Sequence, residues 1–380
     1  MFTKKEFLKI ILVLVVLITV LHYINSTRTQ TTSSTLHANS PHKHTSWTDV
    51  LREESPDVFN LLPEHFLSEY KSFCWNNKDG KLLCLPSVYL AGMPKCGSTD
   101  LYNKLVWHQE LVRPVVGKEN HYWARSRLGK NTYHLDHTPT PRKHFFSFLQ
   151  SLGPEKVAGQ PALRLVDGTQ SMLYDLLGWE TRYPGYDRPP YSNADLLRAV
   201  SPGAKILVIT RDPVQRLYSD YMYFVTETNP NVTAGSFHEA VTLEIGRFRT
   251  CLEERDLRSC CYDSENDPKL RLSLGVYICY IRDWKEVFGD NMLVISLEDY
   301  SRYPIPTLSR IFTFLEVSQP DNGKLRTFLQ SSQKSNIRPR DAASKGDMLP
   351  ETKKTLQQFY GPYNRELARY LQDTRFLYKY

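Results

Sequence analysis

Residues 89–99 read Tyr-Leu-Ala-Gly-Met-Pro-Lys-Cys-Gly-Ser-Thr, and they constrain the fold more than any other stretch of this 380-residue chain. The short apolar run of Val88, Tyr89, Leu90 and Ala91 has the length of a buried strand. A glycine-bounded loop follows, and residues 100–105 then have helical character. Strand, loop and helix start together make an anion cradle, because backbone N–H groups point inward and the helix dipole favours negative charge.

The spacing Gly92-x-x-x-x-Gly97-Ser98-Thr99 nearly matches the P-loop of nucleotide kinases. The lysine that follows the second glycine there is Ser98 here, and the only lysine, Lys95, lies inside the loop. The expected ligand is a phosphate-bearing nucleotide held otherwise than ATP in an ordinary P-loop.

The N-terminus bears on the compartment. Residues 7–24 are almost wholly apolar, interrupted by Lys9, Thr19 and His22, with Lys4 and Lys5 ahead of them. That length is close to the lower limit for spanning a bilayer, roughly 17–25 residues. The flanking positive charge keeps the N-terminus cytoplasmic, so the remainder would face a lumen. No small-residue cleavage site follows, which favours a signal anchor over a cleaved signal peptide. Residues 1–24 are thus expected to be a cytoplasmic tail and anchor, 25–80 a lumenal stem, and 81–380 the catalytic domain. The stem is rich in Ser, Thr and His up to about residue 48, and apolar residues return between Trp47 and Tyr70. The folded body is expected to start there, or by Cys84. Sequons at Asn25 and Asn231 fit a lumenal chain, with Asn25 too close to the membrane for efficient glycosylation.

Seven cysteines suit an oxidising compartment. Cys74 and Cys84 flank a polar turn and are placed to close a hairpin. Cys251, Cys260 and Cys261 surround another polar loop with room for one disulfide, and Cys96 is expected to stay free. No Cys-x-x-Cys pair or Cys/His ligand spacing supports a metal site.

A formal charge of +7 suits acidic partners such as a polyanionic substrate, a nucleotide or a membrane surface. Strand candidates at 87–91, Lys205–Thr210 and 292–297 alternate with helical patterns. In residues 275–288, Val276, Tyr280, Trp284 and Phe288 recur every fourth residue, and Gly289-Asp290-Asn291 stops the helix. Another helix runs from Pro350 to about Leu371. The pattern predicts an α/β fold with a P-loop-like parallel sheet flanked by helices, whose ligands bind at the C-terminal ends of the strands.

A second anion site follows strand Lys205–Thr210. Arg211 sits at the strand end, Pro213 is placed to open a helix, and Ser219 lies two turns into it. An arginine and a serine so placed can grip one phosphate together, the alternative being a salt-bridged Arg211-Asp212 pair with a capping role. Read in order, Pro94-Lys95-x-Gly97-Ser98-Thr99 and Arg211-Asp212-Pro213-x-x-Arg216-x-x-Ser219-x-Tyr221 resemble the cofactor signature of sulfotransferases. The resemblance implies 3′-phosphoadenylyl sulfate (PAPS) as sulfuryl donor, with no metal required. It implies 5′-phosphosulfate contacts from Pro94, Lys95, Cys96, Gly97, Ser98 and Thr99, and 3′-phosphate contacts from Arg211 and Ser219. Lys345-Gly346, ahead of Leu349-Pro350, is similar to the family's C-terminal cofactor loop.

Within the family the match is to Golgi membrane-bound carbohydrate sulfotransferases. Lys118-Glu119-Asn120-His121-Tyr122-Trp123 is similar to a Lys-Glu-x-His-aromatic segment of the heparan sulfate enzymes. Residues 93–101 with 118–129 resemble the N-acetylgalactosamine 4-sulfate 6-O-sulfotransferases of chondroitin and dermatan sulfate. The implied location is a Golgi membrane with the catalytic domain lumenal. The implied partners are a sulfated glycosaminoglycan acceptor and the membrane, but no nucleic acid, and a homodimer is compatible. One departure stands out: Asp167-Gly168-Thr169-Gln170-Ser171 lies where relatives carry Glu-Lys-Ser/Thr-Pro, so a substrate-side lysine is missing.

Sulfuryl transfer needs a cation near the bridging oxygen as the leaving group gains charge, which is the role expected of Lys95. It also needs a base for the acceptor hydroxyl, with Glu119 or His121 as candidates. Lys118, Trp123 and Arg125 are the candidates for the acceptor side, where rings stack on sugars and cations pair with sulfate. A kinase would carry a lysine directly after Gly97, and a metal-dependent glycosyltransferase an Asp-x-Asp motif; neither is present. A heparan-type carbohydrate sulfotransferase and a non-catalytic lumenal glycan-binding protein on the same fold remain the alternatives.

Overall fold

The computed structural model describes residues 47–130, 140–176, 178–229, 231–263, 270–331 and 347–378. The expected anchor over 1–24, Asn25 and the Lys345-Gly346 pair lie outside the described residues. Among the described residues no helix is long and apolar enough to cross a membrane.

Two short strands, β1 (Phe73–Asn76) and β2 (Leu82–Leu85), form an antiparallel hairpin. Cys74 lies opposite Cys84 in the register and the two form a disulfide. Ahead of the hairpin, helix α1 (Trp47–Glu54) buries Leu51 in the core, with Val58 just beyond it. The folded body therefore starts before residue 81, because the segment from 47 carries apolar side chains that the sheet domain covers.

Five strands form one parallel sheet: β3 (Val88–Gly92), β4 (Leu111–Val112), β5 (Arg164–Asp167), β6 (Lys205–Thr210) and β7 (Met292–Ser296). Their order is β4-β5-β3-β6-β7. The central strand β3 is buried at every position, which is why it reads as a continuous apolar run rather than an alternating one. From β3 the chain passes to the edge strand β4, returns through β5 beside β3, and then crosses to β6 and β7 on the other side, so the C-terminal end of β3 is a switch point where α/β sheets bind ligands.

The helices that matter to the site are α2 (Ser98–Leu105), α3 (Phe145–Leu152), α4 (Asn193–Val200), α5 (Pro213–Thr228), α6 (Ala234–Glu254), α7 (Tyr277–Phe288), α8 (Leu297–Arg302) and α9 (Pro350–Tyr370). Pro213 opens α5 at its first turn, and the Asp212 side chain caps it by accepting from Val214 N at 2.9 Å. Helix α7 buries Tyr280, Trp284 and Phe288 on one face, and the Trp284 indole donates to Leu173 O at 3.1 Å. Cys251 pairs with Cys260, which settles the pairing in that cluster, while Cys96, Cys261 and Cys279 are buried thiols.

Candidate active site

The first cradle is built by the turn between β3 and α2. Met93 N donates to Ile209 O at 2.8 Å and ties the loop start to β6. Gly97, the residue that caps α2, has φ +80°, and a Cβ there would stand 2.7 Å from Leu297 at the start of α8. Only glycine meets both demands. Ser98 and Thr99 follow at the helix start. Cys96 points inward, and burial pushes its thiol up to about 12, against the pull of Arg216 and Tyr277. It is a packing residue of the loop rather than a nucleophile. Lys95 has φ +61° and lays its ammonium over the Tyr223 ring.

Loop 118–121, on the connection from β4 to β5, lies against residues 167–171 at the end of β5. Gly168 N donates to Lys118 O at 2.8 Å, and Thr169 Oγ1 accepts from Asn120 N at 3.0 Å. The buried Asp167 accepts from the Asn120 amide and from Thr169 N. These bonds hold His121 at φ +51°. Strain of this kind persists only where surrounding contacts enforce it. Lys95 and His121 are two of the five non-glycine residues with positive φ among the described residues.

The result is a chain of polar contacts. Lys118 Nζ lies 2.6 Å from Glu119 Oε1, 3.2 Å from Thr99 Oγ1 and 3.4 Å from Ser98 Oγ. The Gln170 amide donates to Glu119 Oε1 at 3.1 Å. His121 Nε2 stands 3.4 Å from Glu119 Oε2, while its Nδ1 meets Ser171 Oγ at 2.9 Å. Burial raises the Glu119 pKa, but the His121 hydrogen bond and Lys118 outweigh it and bring it down to about 2. Burial lowers the pKa of Lys118, opposed by Glu119.

The second cradle lies where β6 ends. Tyr277 O–H donates to Arg211 O at 2.7 Å and Asp212 N to Glu298 Oε1 at 2.9 Å, which fixes the backbone at the strand end. The Arg211 guanidinium reaches Lys95 O at 3.4 Å, so the two cradles touch. Ser219 is half-buried on α5. Beneath them, Arg216 is fully buried and donates to Arg271 O at 2.7 Å, and Arg271 Nε donates to Asp220 Oδ2 at 2.8 Å. Two guanidiniums share one carboxylate, and Arg216 Nε has no hydrogen-bond acceptor among the described residues. Uncompensated positive charge under both loops, the glycine-shaped cradle and the Ser98 and Thr99 hydroxyls fit a nucleotide carrying phosphates at both ends.

The acceptor-side candidates divide. Lys118 contacts the Ser98 and Thr99 hydroxyls of the first cradle as well as Glu119. Trp123 is 1% exposed, packed edge-on against Tyr122 and Phe148, and Arg125 is an ion-pair partner of the buried Asp175. Both are core residues rather than cleft residues, because the left-handed turn at His121 sends the chain back under α3. Asn231 is exposed in the turn between α5 and α6, and Thr233 of its sequon caps α6. Gln170 and Ser171 were legible only as a departure from the family pattern, whereas Tyr223, Arg271 and Tyr277 carried no motif.

Residues 86–263 match the model of the sulfotransferase family, and residues 190–364 that of the sulfotransferase domain. Rat carbohydrate sulfotransferase 15 is 35% identical over 87% of this chain and 68% of its own length. The human protein of that name is 33% identical with the same coverage. Among solved structures, a sulfotransferase from Alicyclobacillus acidocaldarius shares the fold, with a TM-score of 0.51, 21% identity and coverage of 76% of this chain and 96% of its own. The chain therefore belongs to the sulfotransferase family, as an enzyme that transfers a sulfuryl group from PAPS to carbohydrate.

Proposed function

We propose that the acceptor is a glycosaminoglycan and the reaction the 6-O-sulfation of N-acetylgalactosamine 4-sulfate in chondroitin or dermatan sulfate. The observation that carries this reading is the Lys118-Glu119-His121 cluster, seated between the phosphate loop and residues 167–171. The same segment carries the sequence resemblance to enzymes of that specificity. We further infer that residues 1–24 anchor the protein in a Golgi membrane with the catalytic domain lumenal, and that Asn231 is glycosylated.

The donor supplies a sulfuryl group already activated by its phosphate leaving group. Ser98, Thr99 and Lys95 hold the phosphosulfate end, and Arg211 with Ser219 holds the 3′-phosphate. Glu119 takes the proton of the acceptor hydroxyl as its oxygen bonds to sulfur, with His121 orienting the carboxylate. As the bond from sulfur to the bridging oxygen breaks, its electron pair goes to the 5′-phosphate, where Lys95 offsets the growing charge.

The test is to incubate the full chain with radiolabelled PAPS and chondroitin, dermatan, heparan and keratan sulfates, then analyse the product disaccharides. Label at the 6-position of 4-sulfated N-acetylgalactosamine is expected. Label only in heparan sulfate, or only on small alcohols, overturns the acceptor assignment.

A further inference from the structure

We propose that Lys118 is a shared cation, held by Glu119 in the free enzyme and drawn to the phosphosulfate end of the donor on binding, so that donor binding frees Glu119 to act as a base. This rests on the assignment of the phosphate loop to the donor.

The geometry gives Lys118 one foot in each site. Its three N–H bonds have three acceptors, of which one is the Glu119 carboxylate and two are the Thr99 and Ser98 hydroxyls that form the anion cradle. The stem is held and the head is what moves. Its backbone carbonyl accepts from Gly168 N, and a Cβ on Gly168 would stand 2.7 Å from both Lys118 Cγ and the Tyr102 ring. The side chain is 14% exposed, so it passes between partners with little water in the way. A phosphate or sulfonate arriving at Ser98 and Thr99 meets an ammonium already within hydrogen-bond reach of both hydroxyls.

The charges around Glu119 set the consequence. Lys118 and His121 face it directly, Gln170 donates to it, the Tyr102 ring lies beyond, and Asp167 sits under Lys118. While Lys118 and the His121 ring hold the carboxylate, it is a weak base, since each stabilises the charged form. Withdrawal of Lys118 leaves His121 and Gln170 to orient it and raises its basicity. A catalytic base weak without donor and stronger with it places donor binding before productive acceptor attack.

Competition for one cation has a signature in binding alone. Calorimetric titration of the full chain with 3′,5′-ADP, which fills the same cradle, is compared for wild type, Glu119→Gln, Lys118→Gln and the double variant. Glu119→Gln is expected to bind about three- to tenfold more tightly, since its amide holds Lys118 less strongly than a carboxylate. Lys118→Gln is expected to bind about tenfold more weakly, and adding Glu119→Gln to it to give no further gain. An affinity of Glu119→Gln equal to wild type, or an equal gain with and without Lys118, overturns the proposal. Should Lys118→Gln fail to fold, proton uptake on binding at pH 5 decides, measured in two buffers of different ionisation enthalpy. Greater uptake by wild type than by Glu119→Gln supports the exchange, and equal uptake overturns it. No association of wild type with 3′,5′-ADP refutes the donor assignment instead.

Discussion

The ammonium of Lys95 lies 3.4 Å from the ring centroid of Tyr223, an exposed residue on α5 one turn beyond Ser219. A cation–π contact at an exposed site is worth about 0.5–1 kcal/mol. If Lys95 serves the bridging oxygen of a bound donor, as proposed, it exchanges this ring for an anion, and the contact then stabilises the free enzyme alone. Tyr223→Ala should therefore raise affinity for 3′,5′-ADP about two- to fivefold by calorimetry. A weaker affinity would mean that the ring steers Lys95 toward the donor. Lys95→Ala should lower kcat by roughly 10²–10³, the usual loss for one donor to a developing anion.

Glu119 ties stability to pH. Burial raises its pKa, but the His121 hydrogen bond and Lys118 bring it to about 2, below the ordinary glutamate value. A carboxylate depressed in the folded state stabilises fully above its unfolded pKa, and that contribution is lost as pH falls through the range down to the folded value. The stability gap between wild type and Glu119→Gln should be on the order of 2 kcal/mol at pH 7 and shrink below pH 4.5. Denaturant unfolding at pH 7, 5, 4 and 3 measures it. A constant gap would show that Lys118 and the His121 hydrogen bond do not set the carboxylate's charge.

The parts of the site that were legible in the sequence are those fixed by local chemistry. The strand–loop–helix at Val88–Gly92 and α2 follows from an apolar run and a glycine that must take positive φ. Pro213 and Asp212 announce the start of α5 in the same way. Less visible was what distant segments do to each other. Trp123 and Arg125 follow His121 closely in sequence, yet its left-handed backbone turns them into the core. Conversely, Asp167-Gly168-Thr169-Gln170-Ser171 looks like a lost lysine until β5 is placed beside β3. There Gln170 and Ser171 turn out to hold Glu119 and His121. Residues 47–76 announce a folded segment by their apolar content, but not what it packs against; Leu51 and Val58 join the core of the sheet domain.

The Cys74–Cys84 bond joins the two strands of a hairpin that has only four residue pairs. Both cysteines are fully buried beside Val157 and Leu165, so the hairpin also packs on β5 of the sheet. Closing a loop of this length restricts the unfolded chain by about 2–3 kcal/mol. Replacing both cysteines by alanine should lower Tm by several degrees in calorimetry while leaving the affinity for 3′,5′-ADP unchanged. A loss of nucleotide affinity would show that the hairpin supports the phosphate loop beyond its contribution to stability.

Arg125 and Asp175 decide between a structural and a substrate role for the residues after His121. Both side chains are 5% exposed and they pair with each other. Removing one partner of such a pair leaves an uncompensated buried charge, which costs about 3–5 kcal/mol, whereas replacing both by apolar groups is often neutral. Arg125→Met should therefore unfold at markedly lower denaturant, and Arg125→Met combined with Asp175→Leu should recover most of the loss. The recovered double variant should bind the glycosaminoglycan chain as wild type does. A double variant that is stable but has lost chain affinity would place Arg125 on the acceptor after all, with a rearrangement that frees it from Asp175 when the glycan arrives.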